Sequence, residues 1–266
     1  MLGFAEVFFA WLASTGGPAL AGLVLALIVG KYLRRGYFLA FSLGIIIWVF
    51  SDVIDDATKL DVEESFFGGW EQFVIVALFA LAIVVFFSLD GSLFSPDVKT
   101  RKGLFIPILI AIAVGVHGLG EGGAFGQVSA TTPFTSLILA FGGEAAGAGY
   151  VIHKFLESLA IGAGYLAFSG GETFGISRRL RDAVLLAVVF ITPSVVAMAV
   201  GYYIVFDVVY YYALGSGALL FVILKLSGPL FSTDRVTGSY GSLKVAIWLL
   251  AGLLIVYAAA LFHSYF

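Results

Sequence analysis

The sequence predicts an all-α membrane protein with eight transmembrane helices, and three observations carry that reading. Hydrophobic residues fill 61% of the 266 positions and charged residues only 12%, and a mean hydropathy of +1.07 leaves too little polar surface for a water-soluble domain of this length. The apolar residues come in blocks of roughly 20, the length a helix needs to cross the hydrocarbon core of a bilayer. The basic residues collect in alternate gaps between those blocks, as they do when Lys and Arg are retained on the cytoplasmic side.

The first span, 7–30, is closed by Lys31, Arg34 and Arg35. The second, 37–57, runs into an acidic gap in which Lys59 stands among Asp52, Asp55, Asp56, Asp61, Glu63, Glu64 and Glu71. The third, 70–89, is followed by Lys99, Arg101 and Lys102, and the fourth is 104–126. Residues 127–143, QVSATTPFTSLILAFGG, are apolar enough to prolong a helix, but Pro133 and the pair Gly142-Gly143 interrupt them. They are expected to form a loop with a short interfacial or re-entrant piece. The fifth span, 144–169, is followed by Arg178, Arg179 and Arg181; the sixth is 183–205 and the seventh 208–227. Lys225, Arg235 and Lys244 bracket the last gap before the eighth span, 243–263. Twelve of the 14 basic residues thus lie in alternate gaps, so residues 1–266 are expected to form a single membrane domain with both termini outside.

Composition also excludes some chemistry. There is no cysteine, so disulfides, thiolate metal sites and thiol nucleophiles are ruled out. The net charge of −3 is small and says nothing about nucleic acid, and no nucleic-acid partner is expected. The opening MLGFAEVFFAWLAS carries Glu6 in place of the basic start of a signal peptide and is read as mature sequence.

Ionisable side chains inside a bilayer cost several kcal/mol and are seldom there without a partner or a water-filled path. Five fall well inside predicted spans: His117, Glu121, His153, Lys154 and Glu157. Asp52 and Glu144 lie nearer the outer ends, where they serve equally as a cation entrance or as ordinary solvated helix ends. Positions i and i+4 share one helix face, so VHGLGEG and IHKFLES each project an imidazole and a carboxylate to the same side. The midpoints of the two motifs, residues 119 and 155, are symmetric about Leu137, which places them at similar depth on antiparallel neighbours. His117 is then expected to face Glu157, and Glu121 to face His153. Two imidazoles and two carboxylates suit a borderline divalent ion such as Zn, Fe, Mn or Cd. A purely structural hydrogen-bonding role fits one such residue better than two copies of HxxxE, each followed by a glycine at the same offset, Gly126 and Gly162. The glycines, including Gly122 with Gly126, read as packing residues. His263, near the C-terminus, is read as uninvolved.

These motifs resemble the Zrt/Irt-like, or ZIP, family of divalent-metal transporters. The fourth and fifth helices of that family carry HNxxEG and HExxEG; the corresponding stretches here are HGLGEG and HKFLES. More weakly, LAFSLGIIIWVFSDVIDDA resembles the family's second helix, and FITPSVVAMAVG resembles the sixth, which usually reads EPxGxxxG. The resemblance implies a 3+2+3 bundle, with outer triplets related by an inverted repeat about the two metal-binding helices. It implies that His117, Glu121, His153 and Glu157 form the transport site for a divalent metal, zinc first, carried toward the cytoplasm as substrate rather than held as a cofactor.

The departures from the family pattern cluster. A second metal in many members is held by the Asn after the first His, an acid after the second His and a Glu on helix six. Gly118, Lys154 and Thr192 stand at those positions here. Lys154 is therefore expected to substitute as a fixed cation for the second ion. Ile46 stands where some members offer a sulfur ligand, and the gap SLDGSLFSPDVKTRKG lacks a histidine-rich run. Two competing classes are a membrane-embedded metal-dependent hydrolase, which the lack of an HExxH disfavours, and a ZIP-like protein that binds metal without carrying it. No enzymatic activity is expected. The partners expected are the metal ion and the lipid bilayer of the cell membrane, and a homodimer is compatible with the sequence.

Overall fold

The computed structural model describes residues 2–58, 70–91, 103–133, 136–169, 175–231 and 242–261. Among them lie nine helices and no strand: α1 Phe4–Val29, α2 Arg35–Thr58, α3 Trp70–Asp90, α4 Phe105–Thr131, α5 Leu137–Ala140, α6 Glu144–Phe168, α7 Ile176–Tyr203, α8 Val209–Phe231 and α9 Ser242–Ala260. All but α5 are long and apolar enough to cross a membrane. Lys59, Asp61, Glu63, Glu64, Lys99, Arg101, Lys102, Arg235 and His263 lie outside the described residues.

Several helices outrun the apolar spans, two of them into polar residues, because hydropathy marks only the part that meets lipid tails. The α4 helix continues past the 104–126 span to Thr131, and α7 begins at Ile176, ahead of the 183–205 span. Arg178, Arg179 and Arg181 therefore stand on the first two turns of a helix. Within 127–143, residues 127–131 continue α4 and Leu137–Ala140 form α5, capped by the Ser136 hydroxyl, which accepts from the Leu139 amide at 3.4 Å.

Burial ranks the helices by position. Inside the protein lie 72% of the apolar window of α6 and 67% of that of α4, against 11% for α3 and 17% for α9. The two helices that carry HxxxE are thus the centre, and α3 and α9 face lipid. Their neighbours pair off: α1 packs on α6 as α7 packs on α4, α2 on α9 as α8 on α3, and α2 on α6 as α8 on α4. Both α1 and α7 carry a proline near the middle, Pro18 and Pro193.

Glycine makes the closest crossings possible, because between membrane helices association depends on backbone approach. A Cβ on Gly122 would lie 2.1 Å from the Ser194 carbonyl oxygen and one on Gly126 2.3 Å from that of Met198, which joins α4 to α7. On α9, a Cβ at Gly252 would meet the Phe41 carbonyl oxygen at 1.9 Å. Gly252→Ala is therefore expected to destabilise the α2–α9 crossing by about 1–3 kcal/mol. Gly228→Ala, which meets nothing within 4 Å, should be neutral in the same thermal melt of detergent-solubilised protein.

Polar contacts tie the basic end together. The Arg35 guanidinium donates to the carbonyls of Leu166 and Ala167, at the end of α6, where a cation also meets the negative end of the helix dipole. The Tyr165 hydroxyl donates to Asp182 at 3.0 Å. The Lys225 ammonium reaches the carboxylate oxygens of buried Asp90 at 2.7 and 2.8 Å. At the opposite end the Tyr202 hydroxyl donates to the Leu2 carbonyl, joining the start of α1 to the end of α7.

Candidate metal centre

Each HxxxE occupies the middle of its helix, and the crossing of α4 and α6 brings the two together. His117, Glu121, His153 and Glu157 each offer one ligand atom, and these four atoms all lie within 4.8 Å of one another. A tetrahedral ion with N and O ligands at about 2.0–2.2 Å separates them by about 3.5 Å, so small side-chain rotations would close the set on a metal.

Glu157 is the hub. Its Oε1 lies 2.9 Å from His117 Nε2 and 2.5 Å from His153 Nε2. The expected pairing of His117 with Glu157 is thus present. Glu121 also meets the fixed cation: its Oε2 is 2.5 Å from the Lys154 ammonium, and its Oε1 is 3.8 Å from His117 Nε2 on its own helix. Glu121 and His153 still each offer a ligand atom within the same 4.8 Å. Lys154 also donates to both oxygens of Glu157, at 3.0 and 3.2 Å, and lies 3.1 Å from His117 Nε2.

The orientation of the His117 ring is set by its other nitrogen. Nδ1 faces the Val114 carbonyl oxygen one turn back, which has only lone pairs, so Nδ1 carries the proton and donates it. Nε2 is directed into the cluster, 2.9 Å from Glu157 Oε1 and 3.1 Å from the Lys154 ammonium. An outer hydrogen bond of this kind orients a metal-binding imidazole.

Exposure falls through the cluster in one direction. Glu121 and His153, on the turns nearer the C-terminus of α4 and the N-terminus of α6, keep 20% and 8% of their side chains exposed, whereas His117 and Glu157 keep none. The site is therefore open toward that end of the bundle. Beyond it toward the basic end lies apolar packing that includes Ile110, Ile161 and Leu226.

The other candidate residues are more distant in character. Asp52 and Glu144 are exposed, Asp52 on α2 and Glu144 at the first residue of α6. Glu144 lines a cleft of about 400 Å³ with Ser14, Leu137, Phe141 and Val151. Gly118 packs beside Ser194, and a Cβ there would lie 3.8 Å from Glu121 Oε2. Thr192 points away from the cluster, exposed, with its hydroxyl on the Val188 carbonyl at 2.6 Å. Ile46 is fully buried among apolar residues.

Several residues around the site escaped the sequence reading. Ser194 is the buried α7 residue beside α4, and it accepts from Trp11 Nε1 at 3.0 Å. Trp11 in turn stacks on Phe125 and Phe141, with centroids 4.5 and 6.1 Å away, forming an aromatic wall between α1, α4 and α5. The Tyr212 ring lies over Gly120, where a Cβ would meet it at 2.5 Å. The sequence signal available for these was the interruption of apolar runs by Trp and Tyr, which also mark membrane interfaces.

No family model matches the chain, and no curated protein matches it. What the fold and the site define is a class: a helical membrane protein of eight candidate spans with a buried His/Glu cluster that could hold a metal ion.

Proposed function

We propose that this chain transports a divalent transition-metal ion, zinc first, across the membrane toward the cytoplasm through the site formed by His117, Glu121, His153 and Glu157. The observation that carries the reading is the convergence of four ligand atoms within 4.8 Å at the middle of the two most buried helices. A structural metal would be sealed on all sides. This cluster instead has a 20%-exposed carboxylate on one side and full burial on the other, the asymmetry of a site reached from one face at a time.

A ZIP-like 3+2+3 arrangement is supported by the way the packing pairs off when α1, α2, α3 and α4 are exchanged with α7, α8, α9 and α6. Sidedness is read from charge. Lys31, Arg34, Arg35, Arg178, Arg179, Arg181 and Lys244 flank the helix ends on the closed side of the site, and Asp52, Asp55 and Asp56 flank the open side. With basic loops held in the cytoplasm, metal enters from outside, and the cell membrane is the natural setting. The homodimer and metals other than zinc are left to the same preparations.

The test is metal uptake by proteoliposomes reconstituted with the purified protein, using zinc, cadmium, iron(II) and manganese, beside hydrolysis of lipids and peptides by the same preparation. Saturable uptake of at least one metal without hydrolysis supports transport. Hydrolysis without uptake would favour the membrane metallohydrolase, and tight binding without uptake a non-transporting metal protein.

Orientation has its own check. The chain has no native cysteine, and Ser177 is exposed at the start of α7. Ser177→Cys in intact cells should resist a membrane-impermeant maleimide and react only after permeabilisation; labelling of intact cells would invert the proposed topology.

A further inference from the structure

The position of the Lys154 ammonium bears on how the unloaded site is balanced. It lies 2.5 Å from Glu121 Oε2, 3.0 Å from Glu157 Oε2 and 3.1 Å from His117 Nε2. Those atoms belong to three of the four groups that a metal would use. For His117 the overlap is direct, because Nδ1 is turned to the Val114 carbonyl and Nε2, the nitrogen directed inward, is the one that the ammonium approaches. A metal ion bound through Nε2 would need the space that the ammonium occupies. The side chain is 1% exposed, so it is not reaching out to a headgroup.

We infer that Lys154 is a tethered surrogate for the cargo: its ammonium fills the site when no metal is bound, and arriving metal pushes it aside. This goes further than a cation standing beside the metal in a second position, since here lysine and metal compete for the same ligands. The rings of Tyr150 and Phe190 already flank the ammonium, with centroids 5.6 and 5.8 Å from Nζ, and cation–π attraction would hold it as metal pushes it toward them. The consequence for a carrier rests on the transport reading above. Two carboxylates in the middle of the bilayer are costly to leave uncompensated, and the lysine lets the empty site close and reopen on the other side without a counter-ion.

The experiment is equilibrium zinc binding to the purified full-length protein in detergent, read by competition with a chromophoric chelator. Lys154→Met keeps the length of the side chain and removes the charge; it should bind zinc at least about tenfold more tightly than the wild type, a difference of 1.4 kcal/mol. Unchanged or weaker binding by a folded Lys154→Met overturns the inference and favours a lysine that assists the bound metal. Should the methionine variant misfold, Lys154→Cys offers a second route in this cysteine-free chain. Restoring a positive charge with aminoethyl methanethiosulfonate should weaken zinc binding by a similar factor, and capping with the neutral methyl reagent should not; equal effects of the two reagents overturn the inference.

A flux measurement separates this inference from the transport reading. In proteoliposomes Lys154→Met should slow net uptake into metal-free vesicles while sparing exchange of zinc for zinc, since only net uptake needs the empty carrier to return. If the wild type moves no metal but Lys154→Met still binds more tightly, transport fails and the competition stands. If the wild type transports and binding is unchanged in Lys154→Met, only the competition fails. Zinc binding by neither protein rejects both.

Discussion

Glu157→Gln is expected to reduce metal uptake by at least about 100-fold while leaving a folded protein. The estimate is a lower bound, because removing even an outer partner of a metal ligand costs about 10–100-fold and Glu157 is placed as a ligand itself. Its Oε1 is the atom on which both imidazoles converge, at 2.9 and 2.5 Å. Glutamine keeps the shape and one carbonyl oxygen but no negative charge. Folding survives because Lys154 retains Glu121 at 2.5 Å. Alanine is a harsher change: it opens a cavity and removes one of the two carboxylates from a fully buried cluster, so loss of the folded protein would obscure the transport result. Uptake at the wild-type level in folded Glu157→Gln vesicles would remove the site from the mechanism.

The second large effect concerns stability. Lys225 is the partner of Asp90, which is 0% exposed, and the pair joins α3 to α8. Lys225→Met strands that carboxylate and is expected to cost about 3–5 kcal/mol. The double variant Asp90→Leu/Lys225→Met should recover most of the loss, because a buried ion pair replaced on both sides by apolar groups is close to neutral. Thermal unfolding in detergent measures both. A double variant no more stable than Lys225→Met alone would show that the two residues do not act as a pair.

Most of the helical architecture is legible in the sequence because the bilayer imposes a length and an apolar composition on every span. The same rule hides what lies beyond the hydrocarbon. The last turns of α4 to Thr131 and the first of α7 from Ile176 are polar enough to fall outside an apolar window, yet each residue there still extends a helix already nucleated. The HxxxE pairs could be read because a helix converts i, i+4 spacing into a shared face, and similar depth on antiparallel helices follows from counting toward the connection. Helical spacing alone did not determine which side chains reach one another. The 2.5 Å contact of Glu121 with Lys154 depends on the length of a lysine and on an inter-helix distance that no spacing encodes.

Lys225 shows the same limit. Beside the last gap it reads as an ordinary basic flank, and Asp90, 135 positions earlier, as a helix end. Only the packing of α3 on α8 reveals the bond. On α7 the family-like position before Pro193 directed attention to Thr192, but one helical residue subtends about 100°, and it is Ser194 that faces α4.

X-ray absorption of the zinc-loaded, chelator-washed protein addresses the central claim most directly, since that claim concerns which atoms hold the ion. One zinc per chain is expected, with a first shell of nitrogen and oxygen at about 2.0–2.2 Å, the outer-shell scattering of two imidazole rings, and loss of that signal in Glu157→Gln. Zinc removed by the wash, or retained in a shell with no imidazole, would contradict it.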